Sequence, residues 1–288
     1  MSQVAALYRY PIKSMQGEAV DQLELTPSGV VGDRALALLD LETGLVVSAH
    51  RPDRWGAMLR CQARWSSDGI VVTLPDESSH QPGPELERRL GDLLDRPVRF
   101  IQTAPPEAKV DFTLADVPES APDSFAQWVL SMAGSPNDTI GRLPVGLGAP
   151  AGSLVDVAPV HIITEAALRA LADGGGDPDI RRFRPNIVTS SESEGYAENA
   201  WLDHELDIGT ARLRVTGPTM RCLVTTLPQA GGIQPHRANL TTLVRDNRLT
   251  YGPGSWACLG VYATPESEAR IGIGDQIAVS RAASSTQG

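Results

Sequence analysis

A chain of 288 residues is longer than one ordinary hydrophobic core fills, so two domains, or one large barrel with an appendage, are expected. Its 35 acidic against 25 basic residues leave a net charge of −10, which excludes a broadly basic face for nucleic acid or anionic lipid. Three cysteines, Cys61, Cys222 and Cys258, with no CxxC pair exclude a disulfide framework, a zinc ribbon and a cysteine-ligated iron–sulfur cluster.

The start, "MSQVAALYRYPIKS", carries Arg9 and Lys13 where a signal peptide is apolar. No stretch approaches the roughly 18 unbroken apolar residues of a membrane helix. A cytoplasmic, reducing location without membrane contact is expected. The first hundred residues read as short strands: "VAALYRYPIK", two in "AVDQLELTPSGVVGDRALALLD" around the turn Pro27-Ser28-Gly29, then "GLVVSA" and "GIVVTLP". Short strands punctuated by Gly and Pro suggest a small barrel or sandwich. "PELERRLGDLLD" (Pro84–Asp95) predicts a helix, with proline in its first turn and Leu86, Leu90, Leu93 and Leu94 along one side. "RPVRFIQ" follows as a strand.

Thr103–Ser153 is rich in Pro, Gly, Ala and Asp, with a short helix expected at Asp123–Ala133, and reads as a lid or crossover. Beyond it, "APVHIIT" predicts a strand, and "TEAALRALADGG" a helix capped by Thr164 and ended by Gly174. "RPNIVTS", "ELDIG", "ARLRVTG" and "RCLVTTL" read as strands, "LTTLVRDNR" as a helix or turn, "CLGVYATP" as a strand and "IGIGDQIAVS" as a last strand pair. A frayed tail, "RAASSTQG", follows. The expected class is α+β, mainly β.

Only two of the 25 cationic residues are lysines, Lys13 and Lys109. Lys13, Arg34, the group Arg181, Arg182 and Arg184, and Arg221 all fall at strand ends or turns, where side chains and backbone amides can converge on one ligand. Planar arginine forks beside a compact ammonium suit phosphate and oxyanions. The competing reading for any one of them is a solvated surface charge paired with one of the 35 acids. Cys222 has the same two readings. It is an inert buried thiol, or a thiolate favoured by a neighbouring cation for metal binding or attack. In a strand Arg221 would face away from Cys222, so it helps only if the pair sits on a turn. Cys61 and Cys258 read as core filler. The five histidines show no metal-ligand spacing, and no G-x-S-x-G elbow, Walker loop or dinucleotide fingerprint occurs.

Taken in order, "YPIKS" (Tyr10–Ser14), "GDR" (Gly32–Arg34), "APVHIITEAAL" (Ala158–Leu168), "RRFRPNIV" (Arg181–Val188), "LDIGTARLRVTGPTMRCLVTT" (Leu206–Thr226), "GVYA" (Gly260–Ala263) and "IGIGDQI" (Ile271–Ile277) carry a resemblance. The chain resembles the MOSC family, in particular its two-part members with an N-terminal β-barrel, such as the mitochondrial amidoxime-reducing component and bacterial relatives. The resemblance implies an N-terminal MOSC-type β-barrel domain over 1–102, a connecting segment over 103–153, and a MOSC β-barrel domain with peripheral helices over 154–282. It implies a molybdenum cofactor of the molybdopterin type, with Cys222 as metal ligand and catalytic residue. Lys13, Ser14 and Arg34 would contact the cofactor from one side, and Thr164, Arg184, Asn186 and Arg221 from the other. The implied activity is an oxidoreductase that reduces N-hydroxylated or N-oxygenated small molecules. No C-terminal ferredoxin-like domain is present in the sequence, so a separate ferredoxin- or flavoprotein-type electron donor is expected. A cofactor or sulfur carrier without turnover of its own is the alternative. A third reading is a MOSC-like barrel that binds another anionic metabolite. Three departures stand out: Thr219 where close relatives often carry another cysteine, "PESEARIGIGD" in place of a proline-glycine turn, and the long Thr103–Ser153 segment.

Overall fold

The computed structural model describes residues 2–113, 140–146, 149–251 and 254–281. Among them are nineteen strands and four α-helices, which makes the protein mainly β with helices at the periphery. The largest sheet runs in the order Ile277–Arg281, His204–Ile208, Ala211–Met220, Gly254–Pro265, Val160–Thr164, Ile187–Thr189, Val4–Arg9 and Glu18–Val20. Arg248–Tyr251 branches from it onto Gly254–Pro265. Pairing along this path is antiparallel except between Val160–Thr164 and Ile187–Thr189, which are parallel. A parallel pair needs a crossover, and the helix Glu165–Asp173 supplies it. Ala211–Met220 shows how sequence sets the faces: Ala211, Leu213 and Val215 point inward while Arg212, Arg214 and Thr216 point to solvent.

Two main cores result, and the chain's start belongs to both. Val4, Leu7, Leu23, Leu25 and Val30 pack with Val160, Ile162, Leu206, Ile208, Leu213, Val261 and Ile271 in the first. Strand Gln22–Thr26 also pairs with Ala269–Gly272 near the other end of the chain. The second core is built only from residues between Ile12 and Val98, including Met15, Leu38, Trp55 and Met58. Helix Pro84–Leu94 closes it with Leu86, Leu90 and Leu94 and ends at Asp95 in the left-handed conformation, as the 3.6-residue spacing predicts. Residues Tyr10–Gln16 therefore cross from one core to the other, and they carry Lys13 and Ser14 across the junction.

Two expected strands take another form. "GLVVSA" makes one isolated bridge, Leu39 to Val46. Its amides are spent on two different neighbours, Val46 N on the Lys109 carbonyl and Val47 N on the Leu38 carbonyl, so no ladder forms although both side chains are buried. "RCLVTTL" is rich in β-branched residues, yet Leu223–Thr226 is a 3-10 turn. The Thr225 and Thr226 hydroxyls donate to the carbonyls of Cys222 and Leu223, three residues back, at 3.0 and 2.8 Å. These bonds compete with a ladder for the backbone and put Arg221 and Cys222 at a strand-to-turn junction. The helix expected at Asp123–Ala133 and the tail from Ala282 lie outside the described residues. Strands Lys109–Thr113 and Ile140–Pro144, on either side of that region, pair with each other. No helix among the described residues is long and apolar enough to cross a membrane.

Candidate functional site

A cavity of about 740 Å³ opens where the two cores meet. It gathers Lys13, Ser14, Arg34, Arg184, Asn186, Arg221 and Cys222, seven of the eight residues singled out in the sequence. Thr164 is the exception. It is fully buried, its hydroxyl caps the helix by accepting from Ala167 N at 3.0 Å, and it donates to Glu198 Oε2 at 2.6 Å. The capping role read from the sequence is met, and a hydroxyl committed on both counts is not part of the cavity wall. Arg182, His50, His161, Asp156 and Thr219 join the wall, together with an apolar side that includes Val110, Phe112, Leu143, Pro144, Met220 and Trp256.

Charge in this cavity is opposite to that of the whole protein. Among the described residues, Lys13, Arg34, Arg182, Arg184 and Arg221 line it against a single carboxylate, Asp156. Lys13 is 3% exposed; its ammonium pairs with Asp156 and donates to the Leu154 carbonyl at 3.0 Å. Burial holds the Lys13 pKa below its ordinary value, with Asp156 opposing that effect. Two guanidiniums meet the Tyr10 ring, with Arg34 Cζ 4.7 Å and Arg184 Cζ 4.5 Å from its centre. Asp33 pairs with Arg34 and accepts from Tyr10 N at 2.7 Å, which fixes the stack. Among the described residues, Arg184 has no carboxylate hydrogen-bond partner, and it donates to the Met15 carbonyl. Burial first, and then the Arg34 charge, lower its pKa to about 10.

Three of the wall residues also hold strained backbone. Ser14 (φ 67°), Arg34 (φ 44°) and Arg184 (φ 56°) are left-handed without being glycine. Each such residue costs about 1–3 kcal/mol, and such costs gather where a side chain must be aimed at a ligand. At Ser14 the backbone turn lets Oγ accept from Ala49 N at 3.0 Å and directs the chain past Lys13. Asn186 ties the strands together, its Oδ1 accepting from His161 N at 3.2 Å and its amide donating to the Tyr8 carbonyl at 3.4 Å.

At the other side of the cavity, Cys222 Sγ lies 3.5 Å from His50 Nδ1, and His50 Nε2 lies 3.7 Å from Asp156 Oδ2. Spacing gave no sign of this group: 172 residues separate His50 from Cys222. Arg221 does not pair with the sulfur. Its guanidinium donates to the Leu259 and Phe183 carbonyls at 3.0 and 3.1 Å and meets His161 Nε2 at 2.5 Å. Burial, and then the Arg221 charge, hold His161 well below its ordinary pKa, so its ring is neutral and accepts from Arg221. The two other cysteines stay inert: burial pushes the Cys61 thiol up to about 12 and the Cys258 thiol up to about 11.

Burial alone would lower the His50 pKa, but Cys222 and Asp156 more than reverse this and hold it well above the ordinary value. The folded state thus keeps a proton that the unfolded chain releases above a pH of about 6.5. That contribution to stability is complete below this pH and is lost as pH rises through the folded pKa. Asp156 is held well below the carboxylate range by Lys13 and His50 despite its burial, so its own contribution is present above a pH of about 4 and is lost in acid. His50→Gln should flatten the fall in urea midpoint between pH 6.5 and 8.5 in protein freed of ligand. An unchanged slope in that variant would assign the fall to other groups.

Two family models match the chain: the MOSC N-terminal beta barrel domain over residues 1–102, and the MOSC domain over residues 150–278. The chain belongs to the MOSC family. Its wall residues come from both matched regions, Lys13, Ser14, Arg34 and His50 from the first and Asp156, Arg184, Asn186, Arg221 and Cys222 from the second. Mitochondrial amidoxime-reducing component 1 of Homo sapiens is 26% identical over 299 residues, which cover 95% of this MOSC chain and 82% of the human protein. Molybdenum cofactor sulfurase of Solanum lycopersicum is 25% identical over 93% of this chain and 34% of its own length. Among solved structures, the YUAD protein of Bacillus subtilis aligns over 98% of each chain at 11% identity with a TM-score of 0.45.

Proposed function

We propose that the protein binds a molybdopterin-type molybdenum cofactor in this cavity and reduces N-hydroxylated or N-oxygenated small molecules with it. The observation that carries this reading is the meeting of five cations and one accessible thiol in one cavity of an acidic protein. Among the described residues, no cluster of three or more His, Cys, Asp or Glu is arranged to hold a bare ion. One thiol beside a cationic floor instead fits a metal that arrives with its own sulfur chelate on an anionic carrier. Cys222 would supply the protein's soft donor. Lys13, Arg34 and Arg184 would take the phosphate, with Ser14 and Asn186 beside them and Arg221 fixing the turn before the sulfur.

When bound, the cofactor supplies a two-electron centre. The net reduction of an N–OH group takes two electrons and two protons and releases water. His50 lies beside the Cys222 sulfur, with Asp156 at the far nitrogen of its ring. The apolar side formed by Val110, Phe112, Leu143, Pro144 and Trp256 excludes water and suits an uncharged substrate body. The relatives named for amidoxime reduction support this substrate class. Electrons would come from a separate ferredoxin- or flavoprotein-type donor. Three free cysteines, one of them needed in reduced form, fit a reducing compartment, the cytoplasm in this reading.

The test is molybdenum and pterin per chain in protein purified from a cofactor-competent host, followed by reduction of an amidoxime with an artificial donor. About one of each per chain, retained through turnover, supports the reading. Loading without turnover, with release to an acceptor protein, would make the protein a carrier. Protein without either component would end both.

A further inference from the structure

Thr219 is 1% exposed and belongs to the cavity wall, and its buried hydroxyl has no hydrogen-bond partner among the described residues. Three other buried side-chain polar atoms are in the same condition, on Thr189, Tyr196 and Asn199, and none of those residues lines the cavity. A buried hydroxyl left unpaired costs stability, and a protein that keeps one beside a ligand cavity has a use for it. The backbone supports the same reading. The pairing of Ala211–Met220 with Gly254–Pro265 shifts register twice, between Val215 and Gly217 and again between Pro218 and Met220. Such an irregularity disrupts the ladder locally and re-aims side chains beside it, a device that recurs next to functional sites. Thr219 sits at the second shift, one residue opposite two, Leu259 and Gly260, of the neighbouring strand. Three residues of extended chain span about 10 Å, so this hydroxyl lies within the footprint of a ligand that reaches both Cys222 and the cationic floor.

We infer that Thr219 Oγ1 is a further contact for the cofactor, hydrogen-bonding one of its polar oxygen or nitrogen atoms beside the sulfur of Cys222. This rests on the proposed function and adds a residue to it. A hydroxyl suits a contact that must both donate and accept, since it rotates to match whichever atom it meets. Partnering by the ligand also removes the penalty of the unpaired group, so binding and local stability are coupled at this position. A purely structural threonine has no such coupling.

The experiment uses the full-length protein from a cofactor-competent host, with Thr219→Val, which keeps the shape and removes the hydroxyl, and Thr219→Ser, which keeps the hydroxyl. Two quantities are read: the half-time for release of molybdenum and pterin on dilution, and the melting temperature of each protein stripped of cofactor. The expected result is release from Thr219→Val about tenfold faster than from wild type, as for loss of one hydrogen bond, with Thr219→Ser close to wild type. Stripped Thr219→Val should melt about 2–4 °C higher than stripped wild type, because the unpaired group is gone. A wild-type release rate in Thr219→Val overturns the inference while leaving the cofactor reading standing. So does a lower melting temperature for stripped Thr219→Val, which would mean that the hydroxyl serves the fold. Unchanged release with a raised KM would move the contact to the substrate and overturn it as well. Wild-type protein without molybdenum or pterin overturns the proposed function and this inference together.

Discussion

Cys222→Ala is expected to yield a folded protein that still takes up the pterin but reduces no amidoxime, with activity down by about 10³-fold or more, the scale for losing a residue the chemistry passes through. The thiol is partly exposed at the cavity wall and sits outside the main cores, so its removal should cost about 1 kcal/mol of stability or less. Pterin retention follows from the separation of roles, since the cationic floor is contributed by Lys13, Arg34 and Arg184. Cys222→Ser sharpens the test. It restores size and a lone pair but offers a hard oxygen that stays protonated at neutral pH, so it should not rescue activity. X-ray absorption at the molybdenum edge, counting sulfur neighbours, should find one fewer in both variants. Full sulfur coordination in Cys222→Ala would remove the residue from the metal and leave it an ordinary thiol of the cavity wall.

Periodicity and turn chemistry made much of the architecture legible. Leu86, Leu90 and Leu94 at helical spacing, the Thr164 cap and the alternation in Ala211–Val215 all act over a few residues, the range in which sequence speaks directly. The cationic part of the site was legible for a related reason, since Lys13, Arg34 and Arg184 stand beside turn residues in a chain with few other reasons to place them there. Their left-handed backbone was not, because nothing in "IKSM", "GDRA" or "RFRP" requires positive φ at a non-glycine; tertiary packing imposes it. The same holds for His50 and Asp156. Neither has a telling neighbour: His50 meets Cys222, and Asp156 meets His50, across 172 and 106 residues of chain. "RCLVTTL" misled by composition: its β-branched residues favour strand, but two threonine hydroxyls bonded to the backbone favour the turn that presents the cysteine. Thr164 shows that a segment can match its family while one hydroxyl inside it faces the core.

Arg184 carries the other large effect, and its two consequences should have opposite signs. In the stripped protein its guanidinium is enclosed with Arg34 and Lys13 nearby and, among the described residues, without a carboxylate hydrogen-bond partner, and burial and Arg34 lower its pKa to about 10. A cation whose folded pKa lies below its unfolded value opposes folding at every pH at which it is charged, and the opposition fades only as pH rises past about 10. Arg184→Gln should therefore melt at a higher temperature than wild type when both are stripped and measured at pH 7. With cofactor present the order should reverse. A charge-assisted hydrogen bond is worth about 1.5–3 kcal/mol, so the variant should hold the cofactor about 10- to 150-fold less tightly. Arg184→Lys keeps the charge but loses the planar fork and the stack on Tyr10, and should fall between the two. Release half-times and paired melting curves at low and high salt read both effects. If Arg184→Gln instead melts lower when stripped and retains cofactor like wild type, the guanidinium is a strut between Tyr10 and the Met15 carbonyl, and the anion is held by Lys13 and Arg34 without it.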